Sequence, residues 1–176
     1  ATPLQGYFNA KSAQNIGAEL EFRKSLEFLH KSIRDLSLGA NFTYVYSRVQ
    51  FAPYEAGEPF SYPGPDRPLE GQSPYVVNTY LSYDREKSGT SARVLFNTYG
   101  KRIAFVGGQG LPNIYELPVH SLDLTLQQRV HKNLSLYANG FNLLNWRRRF
   151  VQGDEQAVTY NTLRGVTFVL GLTYER

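Results

Sequence analysis

The sequence predicts an all-β protein: an antiparallel transmembrane β-barrel segment of about seven strands, with long outer loops and short periplasmic turns. Three observations carry this. Apolar and polar residues alternate with a period of two over most of the chain, as on strands with two unlike faces. Aromatic residues are abundant, with 13 Tyr, 11 Phe and one Trp in 176 residues, yet nothing approaches 18 uninterrupted apolar residues, so no transmembrane helix is encoded. Connections alternate between long and short, which is the asymmetry of an outer-membrane barrel.

The strands follow in order. Ala18, Leu20 and Phe22 oppose Glu19, Glu21 and Arg23. From Leu36 the apolar set is Leu36, Leu38, Ala40, Phe42, Tyr44 and Tyr46. Tyr75, Val77, Thr79, Leu81 and Tyr83 form the third, and Ala92, Val94, Phe96 and Thr98 the fourth. Leu122, Leu124 and Leu126 then oppose Asp123, Thr125 and Gln127; Leu134, Leu136 and Ala138 follow. Val166, Phe168, Leu170, Leu172 and Tyr174 make the last. Each can reach the roughly 9–11 residues of a tilted spanning strand. Between Lys24 and Leu36 the apolar spacing is helical (Leu26, Leu29, Ile33, Leu36), which reads as a wide turn with a helical twist. Long connections are expected over 50–73, 103–118 and 145–158, and short ones over 84–89 and 130–133.

Alternation alone fits a soluble barrel equally well. The membrane reading rests on strand length, on full charges in mid-strand, and on aromatics near strand ends (Tyr44, Tyr46, Tyr75, Tyr83, Tyr99, Trp146, Tyr174), like the girdles at bilayer interfaces. Their simplest alternative is the ordinary strand preference of Tyr and Phe. Outward Leu residues would then meet hydrocarbon, and the polar face would line a lumen.

Composition removes other classes. Without cysteine there is no disulfide framework, thiol chemistry or cysteine zinc cluster. The formal charge of +4 is scattered, with Arg147, Arg148 and Arg149 the one tight cluster, so no nucleic-acid partner is expected. His30, His120 and His131 lack metal-ligand spacing. Ser121 follows His120 directly, which sends the two to opposite faces and argues against a hydrolytic pair; no enzyme and no cofactor are expected. Gly107-Gly108-Gln109-Gly110 lacks the Lys and strand-to-helix context of a phosphate loop and reads as an outer loop.

Several stretches then carry a resemblance. Arg67-Pro68-Leu69-Glu70-Gly71-Gln72-Ser73-Pro74-Tyr75-Val76-Val77-Asn78, Asn97-Thr98-Tyr99-Gly100-Lys101-Arg102-Ile103, Ile114-Tyr115-Glu116-Leu117-Pro118 and Asn139-Gly140-Phe141-Asn142-Leu143-Leu144-Asn145 stand in one order. With Asn9 to Ala13, Gly17 to Glu21 and the closing run Gly165 to Tyr174, they resemble TonB-dependent outer-membrane receptors over nearly the whole chain. The resemblance implies barrel wall and extracellular loops of a receptor importing a scarce solute, of iron chelate, cobalamin or glycan class. It also implies a Gram-negative outer membrane, energy delivered through TonB, and as partners a plug domain, the remaining barrel strands, lipid and lipopolysaccharide.

The chain departs from that pattern. Residues 1–176 read as one region, the C-terminal part of a larger barrel, with room for neither 22 strands nor a plug. An odd strand count and Arg176, where the family commonly ends in an aromatic, point the same way. A strand hidden in Ala1 to Asn9 would restore an even count. The rivals are a small self-contained barrel (porin, adhesin or structural protein) and a soluble ligand-binding barrel.

Two groups of residues are candidate sites. Glu19, Glu21, Arg93, Asn97 and Asp123 would face the lumen and touch substrate or plug; alternatively they form a structural ladder of cross-strand pairs. Trp146 with Arg147, Arg148 and Arg149 would sit at the outer interface, where guanidinium groups grip lipopolysaccharide phosphates; alternatively they open a solvated loop.

Overall fold

Where the alternation is clean, the chain forms long strands. The computed structural model describes residues 10–51, 66–107, 111–153 and 157–175. Seven strands make one antiparallel sheet: β1 (Ser12–Ser25), β2 (Leu36–Gln50), β3 (Tyr75–Arg85), β4 (Thr90–Tyr99), β7 (Val119–His131), β8 (Leu134–Phe141) and β11 (Thr167–Tyr174). Their spatial order is β1-β2-β3-β4-β7-β8-β11. These are the seven strands expected, most of them longer than the alternation alone marked. The sheet is open among the described residues, with β1 and β11 as its edges.

The register keeps the two faces distinct across the whole sheet. One ladder runs Phe22, Ala40, Thr79, Phe96, Leu122. The next runs Leu38, Leu81, Val94, Leu124, Gly140, Phe168. A third runs Ala92, Leu126, Ala138, Leu170. Cross-strand partners share a face, so these ladders build one continuous apolar surface. Among the described residues no layer covers it: Leu20 is 70% exposed, Phe168 73% and Leu170 80%. Lys24, Arg48 and Arg85 are charged exceptions near strand ends; the Lys24 ammonium lies 5.7 Å from the Phe28 ring, and Arg48 pairs with Asp66 at 2.7 Å.

The opposite face carries Glu21, Asn41, Asn78, Asn97 and Ser121 in one ladder, and Ser37, Ser82, Arg93, Thr125 and Asn139 in another. It is not uniformly polar, since Val76, Leu95, Phe141 and Val169 share it by register. Two glycines let aromatic rings lie flat here. A Cβ on Gly39 would stand 2.2 Å from Tyr80 Cε1, and one on Gly171 would stand 2.1 Å from Tyr137 Cζ.

The segment after β1 forms two short 3-10 turns, Leu26–Phe28 and Lys31–Ile33, in keeping with a wide helical turn. Their N-terminal N–H groups are capped by the Ser25 hydroxyl and the His30 Nδ1. The β3–β4 turn closes through Gly89 at φ +63°, and the β7–β8 turn is the pair Lys132-Asn133. The two tight turns and the wide turn after β1 lie at one end of the sheet, and the connections leaving β2, β4 and β8 at the other.

Two of those long connections are not plain loops. They contain four further strands: β5 (Arg102–Phe105), β6 (Ile114–Glu116), β9 (Arg147–Gln152) and β10 (Ala157–Leu163). These form a second antiparallel sheet in the order β10-β9-β6-β5. The hairpin β5–β6 joins β4 to β7, and β9–β10 joins β8 to β11. The small sheet thus repeats the order β4-β7-β8-β11 and continues the wall as an upper tier. The connections over 103–118 and 145–158 are long, as expected, and the strands within them are an addition to that reading. Within 50–73 the described residues contribute one bridge, Val49 to Arg67. The glycines at 108 and 110, the termini 1–9 and Arg176 lie outside the described residues.

Candidate functional site

The long-connection end holds the most buried charged group among the described residues. β6 is short and ends at Glu116; Pro118, two residues on, cannot donate to a ladder, so the small sheet meets the large one at a break. Glu116 sits at that break, 2% exposed. Arg102 of β5 donates from Nε to Glu116 Oε2 at 2.8 Å, with a terminal nitrogen at 2.7 Å from the same oxygen. Arg148 of β9 donates from Nε to Oε1 at 2.8 Å and also from a terminal nitrogen. The Tyr99 hydroxyl, at the end of β4, donates to Oε1 at 3.1 Å. Arg102 also lies over the Tyr99 ring at 4.6 Å, and Arg148 over Phe150 at 5.6 Å.

A buried carboxylate is tolerated only when paired and hydrogen-bonded. Burial pushes the Glu116 carboxyl up, but the hydrogen bonds and charges of Arg148 and Arg102 outweigh it and hold the group below its ordinary range. Arg148 is raised in turn, first by its hydrogen bond to Glu116. One carboxylate therefore ties β4, β5, β6 and β9 together and fastens the upper tier to the wall.

This clamp divides the arginine cluster. Arg148 is committed to Glu116 and is not a free phosphate ligand, which amends the expectation for that residue. Arg147 and Arg149 alternate to the opposite side of β9 and are exposed. Trp146, just before them, meets the His120 ring edge-on with centroids 4.3 Å apart and donates from Nε1 to the Pro118 carbonyl at 3.1 Å. His120 belongs to the apolar face, where its Nδ1 pairs with Thr98 Oγ1 at 2.7 Å and its ring stacks on Phe96.

The five polar candidates lie on one face of the large sheet but in separate local pairings. Asn41 donates to Glu19, and Asn97 to Asn78. Glu21 pairs with Arg23 at 2.7 Å, and Arg93 lies over the Tyr80 ring at 5.1 Å. Asp123 accepts from Ser121 at 3.1 Å and from the Asn142 backbone N–H at 2.8 Å. The latter bond caps a turn in which Asn142 and Asn145 take positive φ. Asp123 is thus a turn cap, and the other four stand as cross-strand and same-face partners.

Of the aromatics expected at interfaces, Tyr44, Tyr46, Tyr75, Tyr83 and Tyr174 share the apolar face by register. Tyr99 does not: it lies on the polar face, in the clamp. Arg102 and Glu116 were missed as site residues, because they stand 14 positions apart in separate stretches and only the β5–β6 register pairs them. A lone acid in the apolar run Ile114-Tyr115-Glu116-Leu117-Pro118 was the available signal.

The apolar girdled face, the polar opposite face and the sorting of long and short connections together describe the wall of an outer-membrane barrel. A family model described as TonB dependent receptor-like, beta-barrel matches residues 1–143. Comparison with curated proteins and with solved structures finds no match. With most of its length matched and its sheet built as that family's wall is expected to be, the chain belongs to the TonB-dependent receptor β-barrel family, whose role is reception and transport at the outer membrane.

Proposed function

We propose that this chain forms wall and extracellular loops of a receptor that imports a scarce solute across a Gram-negative outer membrane, of iron chelate, cobalamin or glycan class. The observation that carries the reading is the continuous apolar face over all seven strands, bare of any covering layer among the described residues. In water that surface would drive aggregation; in hydrocarbon it is the favoured one. The polar face, with Glu19, Glu21, Arg93, Asn97 and Asp123, then borders the lumen, where plug and solute pass. Further strands of the same barrel pair with β1 and β11, since an open edge in hydrocarbon leaves backbone groups unsatisfied. Energy reaches the receptor through TonB.

The chain has no cysteine, so single cysteines report without background from this segment. In the intact polypeptide on whole cells, cysteines at Glu21, Asn97 and Thr125 should react with a small membrane-impermeant maleimide. Those at Leu20, Leu124 and Leu170 should resist. The reverse pattern would overturn the face assignment. Uptake of labelled solutes of the three classes, with and without TonB, then tests the transport role and selects the class.

A further inference from the structure

We infer that the outward side of the upper tier is a binding surface for the phosphate groups of an anionic glycolipid in the outer leaflet, with Arg147 and Arg149 as its ligands. The inference rests on the membrane-wall reading above. The Tyr99–Glu116 bond sets the side: Tyr99 belongs to the polar face of the wall, so Glu116, Arg102 and Arg148 point the same way. Alternation along β9 then turns Arg147 and Arg149 to the other side, above the apolar face.

Trp146, just before β9, rests its ring on His120 of the apolar face. Trp in contact with an apolar wall, its N–H satisfied by a carbonyl, suits the polar boundary of a bilayer. Along one strand, then, the chain passes from an interface anchor to two exposed cations about 7 Å apart. That spacing suits neighbouring phosphates, and guanidinium groups grip phosphate bidentately.

The charge environment agrees. By register Tyr115, Val151, Asn161 and Leu163 share the side of Arg147 and Arg149, and none is acidic. Lys101 adds a cation there, its ammonium 4.6 Å from the Tyr115 ring. Among the described residues neither Arg147 nor Arg149 has a carboxylate partner, whereas Arg148, between them, has one. The cluster therefore does two jobs: its middle residue fastens the tier, and its flanking residues present charge to the leaflet.

The test uses the intact polypeptide, purified from outer membranes in mild detergent and returned to phosphatidylcholine vesicles with or without lipopolysaccharide. Retained lipopolysaccharide is measured for the wild type, R147K/R149K and R147Q/R149Q. The expected result is a fall of about thirtyfold in affinity for the glutamine pair. The lysine pair should fall between, since it keeps charge and loses the fork. Equal retention by the wild type and the glutamine pair, both folded in the membrane, overturns the inference. Complete competition by millimolar inorganic phosphate also overturns it, by assigning the arginines to a soluble ion. Labelling of the Leu20→Cys, Leu124→Cys and Leu170→Cys variants by impermeant maleimide overturns the wall reading first, and is recognised before any lipid is counted.

Discussion

Glu116 concentrates more interactions than any other single side chain described. Removing it leaves Arg102 and Arg148 facing each other with no carboxylate between them. Because both guanidinium groups are partly exposed, Glu116→Ala should cost roughly 2–4 kcal/mol, at or below the range for breaking a fully buried pair. Hydrogen exchange read by mass spectrometry should show the loss in the segments around Ile114–Glu116 and Arg147–Gln152, with β2 and β3 unchanged. The pH dependence follows from the depressed folded pKa. The clamp's contribution is complete above the ordinary carboxylate pKa and is lost as pH falls through the lower folded value. Upper-tier protection, corrected for intrinsic exchange, should therefore be flat near neutrality and drop only in acid below the usual carboxylate range. The Gly39–Tyr80 contact is the second residue-level test. Gly39→Ala must push the Tyr80 ring aside and should cost about 1–3 kcal/mol. Most of that cost should vanish in a Tyr80→Ala background when unfolding is measured in lipid.

At the level of elements, β7 offers the sharpest contrast between the faces. Leu124 and Thr125 are neighbours in sequence and point to opposite sides. Leu124→Arg should destabilise the wall by roughly 2–4 kcal/mol if the residue is near the bilayer midplane, and Thr125→Arg by much less. Equal costs in lipid unfolding experiments would refute the orientation. Elements also show where sequence reading stops. All seven long strands were legible, because a period of two sustained over six or more residues is the signature of a strand with two unlike faces. The four upper strands were not. β5 and β6 have only 4 and 3 residues, too few to establish a period. β9 opens on three consecutive arginines, which read as a charged loop until the partners of Arg148 are seen. The polar candidates could be placed on a face from alternation, but their partners depend on register, which no local pattern specifies.

For the whole sheet, the decisive quantity is unpaired edge. β1 and β11 each present a row of backbone groups that no described strand satisfies, and in hydrocarbon each such group costs several kcal/mol. Residues 1–176 expressed alone behind a signal peptide should therefore yield no heat-modifiable, protease-resistant monomer in the outer membrane. Recovery of such a monomer would replace the shared-wall reading with that of a barrel that closes by itself.

The matching order of the two sheets has a consequence for how such a protein can change. Each upper hairpin leaves the wall on one strand and returns on that strand's immediate neighbour. No thread crosses another, and the neighbours are already bonded below. A lineage can lengthen, shorten or exchange either hairpin as a cassette without re-routing the chain beneath it. Two constraints tie the cassettes together, the β6–β9 ladder and Glu116: a new β9–β10 cassette must match that ladder and bring its own cation for the carboxylate, or the β5–β6 cassette must give the carboxylate up.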